Sequence, residues 1–306
     1  MGQAGQRLHL AVVGYGKLGR ICSTAIMREE HMVLSGIVRK PESVTKTLPL
    51  SLKNVPVVSH IRELKQVDAA LLCVPTEQVQ GVAQGILQAR IPIIECATLH
   101  GEAFLAHKHA LDKIAMHHKV PAIVGAGWDP GALSLFRGLF ALLTPKGHTE
   151  MTRRTGVSLH HTTAASAIPG VKDALSTELR SIDGKPQRYI YVELEEGASL
   201  ENVENALQSD PLFLGEETKI FVVDKVAELE QEGQGVLLQR HGSAADAEHQ
   251  SLLLEARFSE YALTAQIMLA AARALPALGH HAYSLFDIPL HDLWGDLSAW
   301  AQQEWL

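Results

Sequence analysis

This sequence predicts an α/β fold, a doubly wound parallel sheet, followed by a second domain of mixed α+β character. Three observations carry that expectation. The mostly apolar run Leu8-His9-Leu10-Ala11-Val12-Val13 leads straight into the glycine-rich turn Gly14-Tyr15-Gly16-Lys17-Leu18-Gly19 and then a helical pattern. Short apolar runs and helical patterns keep alternating to about residue 126, as the units of a parallel sheet do. Beyond about residue 147 strand-like runs cluster instead, with few helices between them, which reads as an α+β unit.

The glycine turn comes first. A buried strand, a tight turn and a helix N-terminus leave backbone N–H groups and the positive end of the helix dipole facing an anion. Gly14 is expected to allow the tight turn, Gly16 to let backbone approach a pyrophosphate, and Gly19 to let helix pack on strand. This is the arrangement of a Rossmann-type dinucleotide site. The second strand, 32–38, then decides which dinucleotide. A site for the unphosphorylated form usually places Asp or Glu about 20 residues past the glycines, on the ribose 2′-hydroxyl. Here Arg39-Lys40 follows the strand. A carboxylate repels a 2′-phosphate, whereas a guanidinium attracts it and can bond it bidentately. The expected cofactor is therefore NADP(H).

Further strands are expected at 55–58, 69–74, 92–96 and 121–126, with helices near 17–29, 77–89 and 102–118. Runs such as Ala69-Ala70-Leu71-Leu72-Cys73-Val74 are apolar throughout, as strands buried on both faces are. In such sheets ligands collect outside the carboxyl ends of the strands. That rule selects Cys73-Val74-Pro75-Thr76, Glu95-Cys96-Ala97-Thr98 and Gly125-Ala126-Gly127-Trp128-Asp129-Pro130-Gly131. The last fixes an aromatic and a carboxylate among glycines and a proline, which suits one wall of a substrate pocket. A domain-joining turn plugged by Trp128 is the other reading.

In the second half, strands are expected at 156–163, 189–194, 218–223, 235–240 and 252–258. A helix is expected at 200–208 and another opening at Gly170-Val171-Lys172-Asp173-Ala174-Leu175. The pattern suggests an open, largely antiparallel sheet whose exposed face a partner subunit covers. An alanine-rich helix is expected over 261–278, with Pro276 in its last turn and Gly279 ending it. The tail 280–306 holds Trp294, Trp300 and Trp305 and is expected to pack back on the first domain.

Composition removes several classes of function. A chain of 306 residues has room for two domains. Hydrophobic residues at 46% and charged residues at 20% are ordinary for a globular protein. A net charge of −7 without a polybasic run argues against nucleic acid as a partner. No apolar run is long enough to predict a membrane span. Residues 1–6 carry no apolar signal core, so a cytoplasmic protein is expected. Cys22, Cys73 and Cys96 have no metal-type or paired spacing and read as buried thiols in a reducing compartment. The 16 histidines include three adjacent pairs, none at metal spacing from Cys or a carboxylate, so no metal is expected.

Together these segments resemble a known family. GYGKLGR, LLCVPT, AGWDPG, AIPGVKDALS, YVELE and ALTAQ, in that order along almost the whole chain, resemble the meso-diaminopimelate dehydrogenases. AGWDPG with IPGVKDAL is the specific part. The resemblance implies a homodimer with an NADP-binding domain at 1–127, completed by 262–306, and a substrate-binding and dimerisation domain at 128–261. It implies reversible NADP-linked oxidative deamination at an amino-acid α-carbon. On the cofactor it places Gly14, Tyr15, Gly16, Lys17, Leu18, Gly19, Arg39, Lys40, Cys73, Val74, Pro75, Thr76 and Cys96. On the substrate side it places Trp128 and Asp129 in the pocket turn, Arg188 and His249 on a distal carboxylate, and His161 in the substrate loop.

Several substrate-side positions depart from the family pattern. Thr98 stands where the family has an aspartate at the reacting amino-acid centre, although Glu95 keeps an acid at the start of that segment. Arg153 stands where an aromatic lines the pocket, and Glu178 where a threonine bonds the carboxylate. Ser259-Glu260-Tyr261 replaces an asparagine-containing turn, and the loop 154–160 lacks glycines and a proline of the pattern. A mismatched buried charge is costly, so these changes bear on which amino acid is accepted.

The mechanism this resemblance implies is hydride transfer from the substrate Cα–H to the nicotinamide. It gives an imine, which water hydrolyses to a 2-oxo acid and ammonia. Asp129 is expected to hold the substrate amine and accept or relay its proton. Trp128 is expected to shape the pocket and exclude water, and Arg188 with His249 to clamp a carboxylate. Thr98 offers only a hydrogen bond. Two alternatives stay open at this point. One is an NADP-linked reductase for another amine, imine or oxo acid, with Arg153 and Glu178 reading different charges. The other is a non-catalytic NADP(H)-binding protein.

Overall fold

The computed structural model describes residues 7–155, 159–180, 186–214, 217–226, 229, 234–295 and 298–305. The chain divides into two units, Met1–Leu139 with Glu260–Leu306, and Phe140–Ser259. The first unit contains β1 (Leu8–Val13), α1 (Lys17–Ile26), β2 (Met32–Val38), β3 (Val57–Val58) and β4 (Ala69–Leu72). It continues with α2 (Thr76–Gln88), β5 (Ile93–Glu95), α3 (Gly101–His118), β6 (Ala122–Ile123) and the start of α4 (Ala132–Leu143). After the second unit the chain returns with α7 (Glu260–Ala274) and β13 (Ala282–Tyr283). The strands form one seven-stranded sheet in the order β13-β6-β5-β4-β1-β2-β3, and neighbours run parallel. The expected doubly wound sheet is thus present.

β1 illustrates how one apolar run feeds two cores. Leu10 and Val12 pack with Cys22 and Ile26 of α1 and with Ala265, Met268 and Leu269 of α7. Ala11 and Val13 pack instead with Val79 and Ala83 of α2 and with Leu111 and Ala115 of α3. Side chains alternate across a strand, so a sheet with helices on both faces needs apolar residues at every position. Full burial of each Leu or Val contributes about 1.5–3 kcal/mol. β1 has β2 on one side and β4 on the other, so the winding reverses there and opens a crevice at the carboxyl ends.

The tail joins this unit through β13, which pairs Ala282 with Ala122 and Tyr283 with Ile123 of β6. Asp287 accepts from the N–H and the hydroxyl of Ser284, both at 2.7 Å, and pairs with Lys108 of α3 at 2.5 Å. Burial pushes the Asp287 carboxyl up, but the bonds from Lys108 and Ser284 together outweigh it and hold the group below its ordinary value. Its stabilisation is therefore present above the unfolded-state carboxyl value and is lost as pH falls through the lower folded value. Asp287→Asn is expected to lower the thermal midpoint at neutral pH by roughly a few degrees. The gap from the parent should close as pH falls below about 4. A gap that persists unchanged in acid contradicts this.

The second unit holds β7 (Lys146–Thr155), α5 (Leu159–Ser166), β8 (Val171–Arg180), β9 (Pro186–Leu194) and α6 (Leu200–Ser209). It continues with β10 (Glu217–Val222), β11 (Gln234–Ala244) and β12 (Ala247–Phe258). Two three-stranded sheets form, β10-β9-β8 and β12-β11-β7, where one open sheet is expected from sequence. β8 and β9 are antiparallel, β9 and β10 parallel, and β11 is antiparallel to both its neighbours. Ala165 of α5, Val203 and Leu207 of α6, and Phe213 close over Val171, Ala174, Ile190 and Val192. In the other sheet Arg240 is 7% exposed and donates to the Thr144 carbonyl from Nε (2.8 Å) and Nη2 (2.6 Å). It thereby supplies donors to carbonyls just past the end of α4, where the helix dipole favours a cation.

Several local expectations for this unit change. The stretch 156–163, expected as a strand, is helical from Leu159 to Ser166, and residues 156–158 lie outside the described residues. Ala165 packs fully buried into the core, so Ala164-Ala165, good helix formers, outweigh the β-branched Thr162-Thr163. The helix expected at 170–175 is instead the start of β8. A bulge between Val171 and Asp173 lets Val171, Ala174 and Leu175 all be buried, a spacing that imitates one face of a helix. The sequence expectation has no element over 132–155, where α4 and β7 lie. β7 is polar and pairs with β11 alone, as an edge strand does. The helix expected over 261–278 ends at Ala274, and Pro276 sits in the tighter turn Leu275–Ala277 that follows.

Candidate active site

A cleft of about 1120 Å³ lies at the carboxyl ends of β1, β2 and β4. Gly14, Tyr15 and Gly16 line it, with Arg39 and Lys40 past β2 and Cys73, Val74 and Pro75 past β4. Gly14 has φ +92°, and a Cβ there would stand 2.5 Å from the Cys73 carbonyl oxygen. A Cβ on Gly19 would stand 2.1 Å from the Gly14 carbonyl oxygen, so α1 packs onto the turn only as glycine. Nothing lies within 4 Å of a Cβ position on Gly16, the open approach a pyrophosphate needs. Gly16 caps α1 without a side-chain bond, and the first turn carries no acid, so the helix end suits an anion. Gly19→Ala is expected to cost about 1–3 kcal/mol by overpacking, seen as a lower denaturation midpoint. An unchanged midpoint contradicts the close packing.

The two basic residues differ. Arg39 is 9% exposed, and its Nη1 donates to the carbonyls of Ser43 (3.2 Å) and Lys46 (2.8 Å). Its guanidinium lies 4.3 Å from the centre of the Tyr15 ring, which Arg20 approaches at 5.8 Å. The loop after β2 thus fixes the plane of the guanidinium. Lys40 is exposed. Ser43, Lys46, Ser59 and His60 also line the cleft. Sequence reading does not find them, because they come from a loop without a motif. Glycine cradle, uncapped helix and basic rim fit NADP. Arg39, Lys40 and Lys46 are the residues available to its extra phosphate.

Other residues expected on the cofactor stand behind or beside this cleft rather than lining it. Leu18 packs on the core, and the Lys17 ammonium lies 5.9 Å from the Tyr261 ring centre. Thr76 opens α2 and its hydroxyl accepts the Thr98 N–H at 3.1 Å. Cys96 is not among the lining residues; burial, then the Glu95 charge, pushes its thiol far up. The Cys73 thiol contacts the Cys22 sulfur at 3.8 Å, and that contact with burial pushes it well up too. Neither is a poised thiolate.

A second cluster forms at the carboxyl ends of β5 and β6. Glu95 is fully buried. Its Oε2 accepts the Ala97 N–H at 2.5 Å and its Oε1 the Gly125 N–H at 2.9 Å. It ties the two strand ends together, with His107 Nε2 3.4 Å away. The loop it braces carries Trp128, 9% exposed, whose N–H donates to the Thr264 hydroxyl at 3.3 Å. Asp129 is 7% exposed. Arg137 of α4 donates Nη1 to its Oδ1 at 2.8 Å and Nη2 to its Oδ2 at 3.3 Å. His100 Nδ1 lies 3.9 Å from the same Oδ1. Asp129, expected to take a substrate proton, therefore already accepts on both oxygens. Neither Arg137 nor His100 is found by sequence reading. Arg137 lies on α4, about one and a half turns past its start at Ala132.

The remaining expected residues belong to the second unit. Arg188 is 1% exposed in β9, in register with Glu178 of β8, and donates to the Ser176 hydroxyl at 3.3 Å. His249 lies near the β11–β12 hairpin with φ +59° and a 93% exposed side chain. The two stand on different sheets of the unit. His161 of α5 meets Phe213 edge-on, ring centres 5.5 Å apart. Arg153 pairs in register with Val236, and the side chains of Arg153 and Glu178 lie outside the described residues. Among the described residues no three His, Cys, Asp or Glu side chains are placed to hold a metal ion. No described helix is long and apolar enough to cross a membrane.

Residues 9–98 match the family model described as NADP oxidoreductase coenzyme F420-dependent. With the glycine cradle and its basic rim, that defines the class, an NADP-dependent oxidoreductase. The meso-diaminopimelate D-dehydrogenase of Bacteroides fragilis is 34% identical over 296 residues, 96% of this chain and 98% of that protein. The chain belongs to the meso-diaminopimelate dehydrogenase family and is an NADP-dependent amino-acid dehydrogenase. Solved structures share the fold. One is the diaminopimelate dehydrogenase of Corynebacterium glutamicum in complex with diaminopimelate, with TM-score 0.62, 22% identity, and 96% and 99% of the two chains covered. Another is an engineered D-amino acid dehydrogenase bound to NADP⁺, with TM-score 0.61, 22% identity and the same coverage.

Proposed function

We propose that the protein catalyses the reversible NADP-linked oxidative deamination of meso-diaminopimelate or a close amino-acid relative. The observation that carries the reading is the Trp128-Asp129 loop, held by buried Glu95 on the same sheet that forms the dinucleotide cleft. The bound cofactor supplies the hydride acceptor. The protein orients the amino acid. Asp129 holds the substrate nitrogen, Trp128 excludes water, and Arg188 is the buried cation for a carboxylate. The first unit carries the cofactor cleft and the Trp128-Asp129 loop, and Arg188 belongs to the second unit. A homodimer is part of the proposal; Phe221 and Val222 of β10 are 42% and 48% exposed, the kind of surface a second copy covers.

The changes at Thr98, Arg153 and Glu178 favour a second reading, the same chemistry on a different amino acid. A panel of diamino and monoamino acids at alkaline pH, followed by NADPH absorbance, separates the readings. Fastest turnover on meso-diaminopimelate supports the first. Turnover on another acid alone supports the second. NADPH binding with no turnover on any amino acid overturns both. Light scattering at half and twice the working concentration tests the dimer; a monomer at both contradicts it.

A further inference from the structure

We propose that His100 is the acid–base residue of the deamination, with Asp129 as its orienting anion and Arg137 as the clamp that holds Asp129. This rests on the amino-acid dehydrogenase reading above and assigns the proton step within it.

Three observations lead there. Position 98 offers a hydroxyl and no titratable group. Asp129 accepts from Arg137 on both oxygens, a forked arrangement that fixes the position of the carboxylate. His100 places Nδ1 3.9 Å from Asp129 Oδ1 while half its side chain stays open to solvent. His107, six-hundredths exposed against Glu95, has no such access.

The backbone fixes the position of His100. It stands at the N-cap of α3 in extended conformation, and its side chain makes no capping bond, so the ring is not committed to the helix. The preceding loop is pinned at Ala97 by Glu95 and at Thr98 by Thr76. An imidazole nitrogen can both take and return a proton, which suits the group this step needs.

An α-ammonium has no free electron pair, and one is needed for the carbon–nitrogen double bond that forms as hydride leaves. Neutral imidazole takes the proton. One N–H bond of the ammonium breaks, its electron pair stays on the substrate nitrogen, and a new N–H bond forms on the ring. Asp129 then faces the imidazolium, and the reverse reaction returns the proton to the amine. Arg137 does not touch the substrate in this scheme; it is a positioning residue that keeps Asp129 in place. Asp129 is the charged group beside His100, and Arg137 pairs with Asp129. Glu102 follows on its own helix and is exposed.

The test uses full-length His100→Gln, His100→Ala and Arg137→Lys with the best amino acid of the panel. His100→Gln is expected to lose about 100-fold or more in kcat. It should also lose the acid limb of the kcat/KM profile, while NADPH affinity by fluorescence titration stays within about twofold. Added imidazole should restore the rate of His100→Ala at least tenfold, a readout a merely structural histidine does not give. Arg137→Lys should shift the acid limb with a smaller loss in kcat. A His100→Gln enzyme with near-parental kcat and an intact acid limb overturns the proposal and leaves the dehydrogenase reading standing. No turnover by the parent on any amino acid overturns both.

Discussion

Asp129→Asn is expected to lower kcat about 1,000-fold while NADPH affinity stays within about twofold. The substitution keeps the shape of the side chain and removes its charge. Asp129 sits 7% exposed in a loop whose backbone is held from outside it, by Glu95 at Gly125 and by Thr264 at Trp128. The loop therefore survives the change, and what is lost is the anion that Arg137 and His100 face. A substrate ammonium loses its counter-charge at the same time. The dinucleotide cleft is lined by residues past β1, β2 and β4, and Asp129 is not one of them. Steady-state kinetics with a parallel fluorescence titration reads both quantities. Unaltered turnover removes Asp129 from the mechanism. Loss of NADPH binding alongside turnover means that the loop itself collapsed.

Arg39→Met is expected to weaken NADPH binding by about 10- to 100-fold, the worth of charge-assisted bonds to a phosphate, and NADH binding by less than about threefold. Methionine keeps an apolar stem beside the Tyr15 ring and removes the guanidinium. Lys40→Met should cost less, because Lys40 is exposed and its charge is screened by salt. The bonds from Arg39 to Ser43 and Lys46 introduce a second contribution, since they also hold the loop after β2. Equal loss for both cofactors would assign Arg39 to loop support alone. A loss confined to NADPH assigns it to the extra phosphate.

How much of this was legible in the chain depended on how local the signal was. The strand, glycine turn and helix at 8–26 follow from steric facts about single residues, so Gly14, Gly16 and Gly19 could be assigned roles that the turn geometry matches. The buried strands of the first unit are apolar at most positions because helices cover both faces. In the second unit the pattern is weaker. β7 is an edge strand of mostly polar residues, and a bulge in β8 gives its buried residues a helical spacing. Asp129 could be singled out from its glycine-rich setting, but its partners could not. Arg137 depends on the unrecognised α4, and His100 meets Asp129 only through the folded path of another strand end. Neither spacing carries a motif. Lys46 and His60 line the cofactor cleft from loops for the same reason.

Calorimetric titration of the purified protein with NADPH and, separately, NADH tests the central claim most directly. The expected result is saturable binding of NADPH and affinity for NADH at least tenfold weaker. Silence toward both nucleotides, or tighter binding of NADH with Arg39 and Lys40 intact, contradicts an enzyme built on that corner of the sheet.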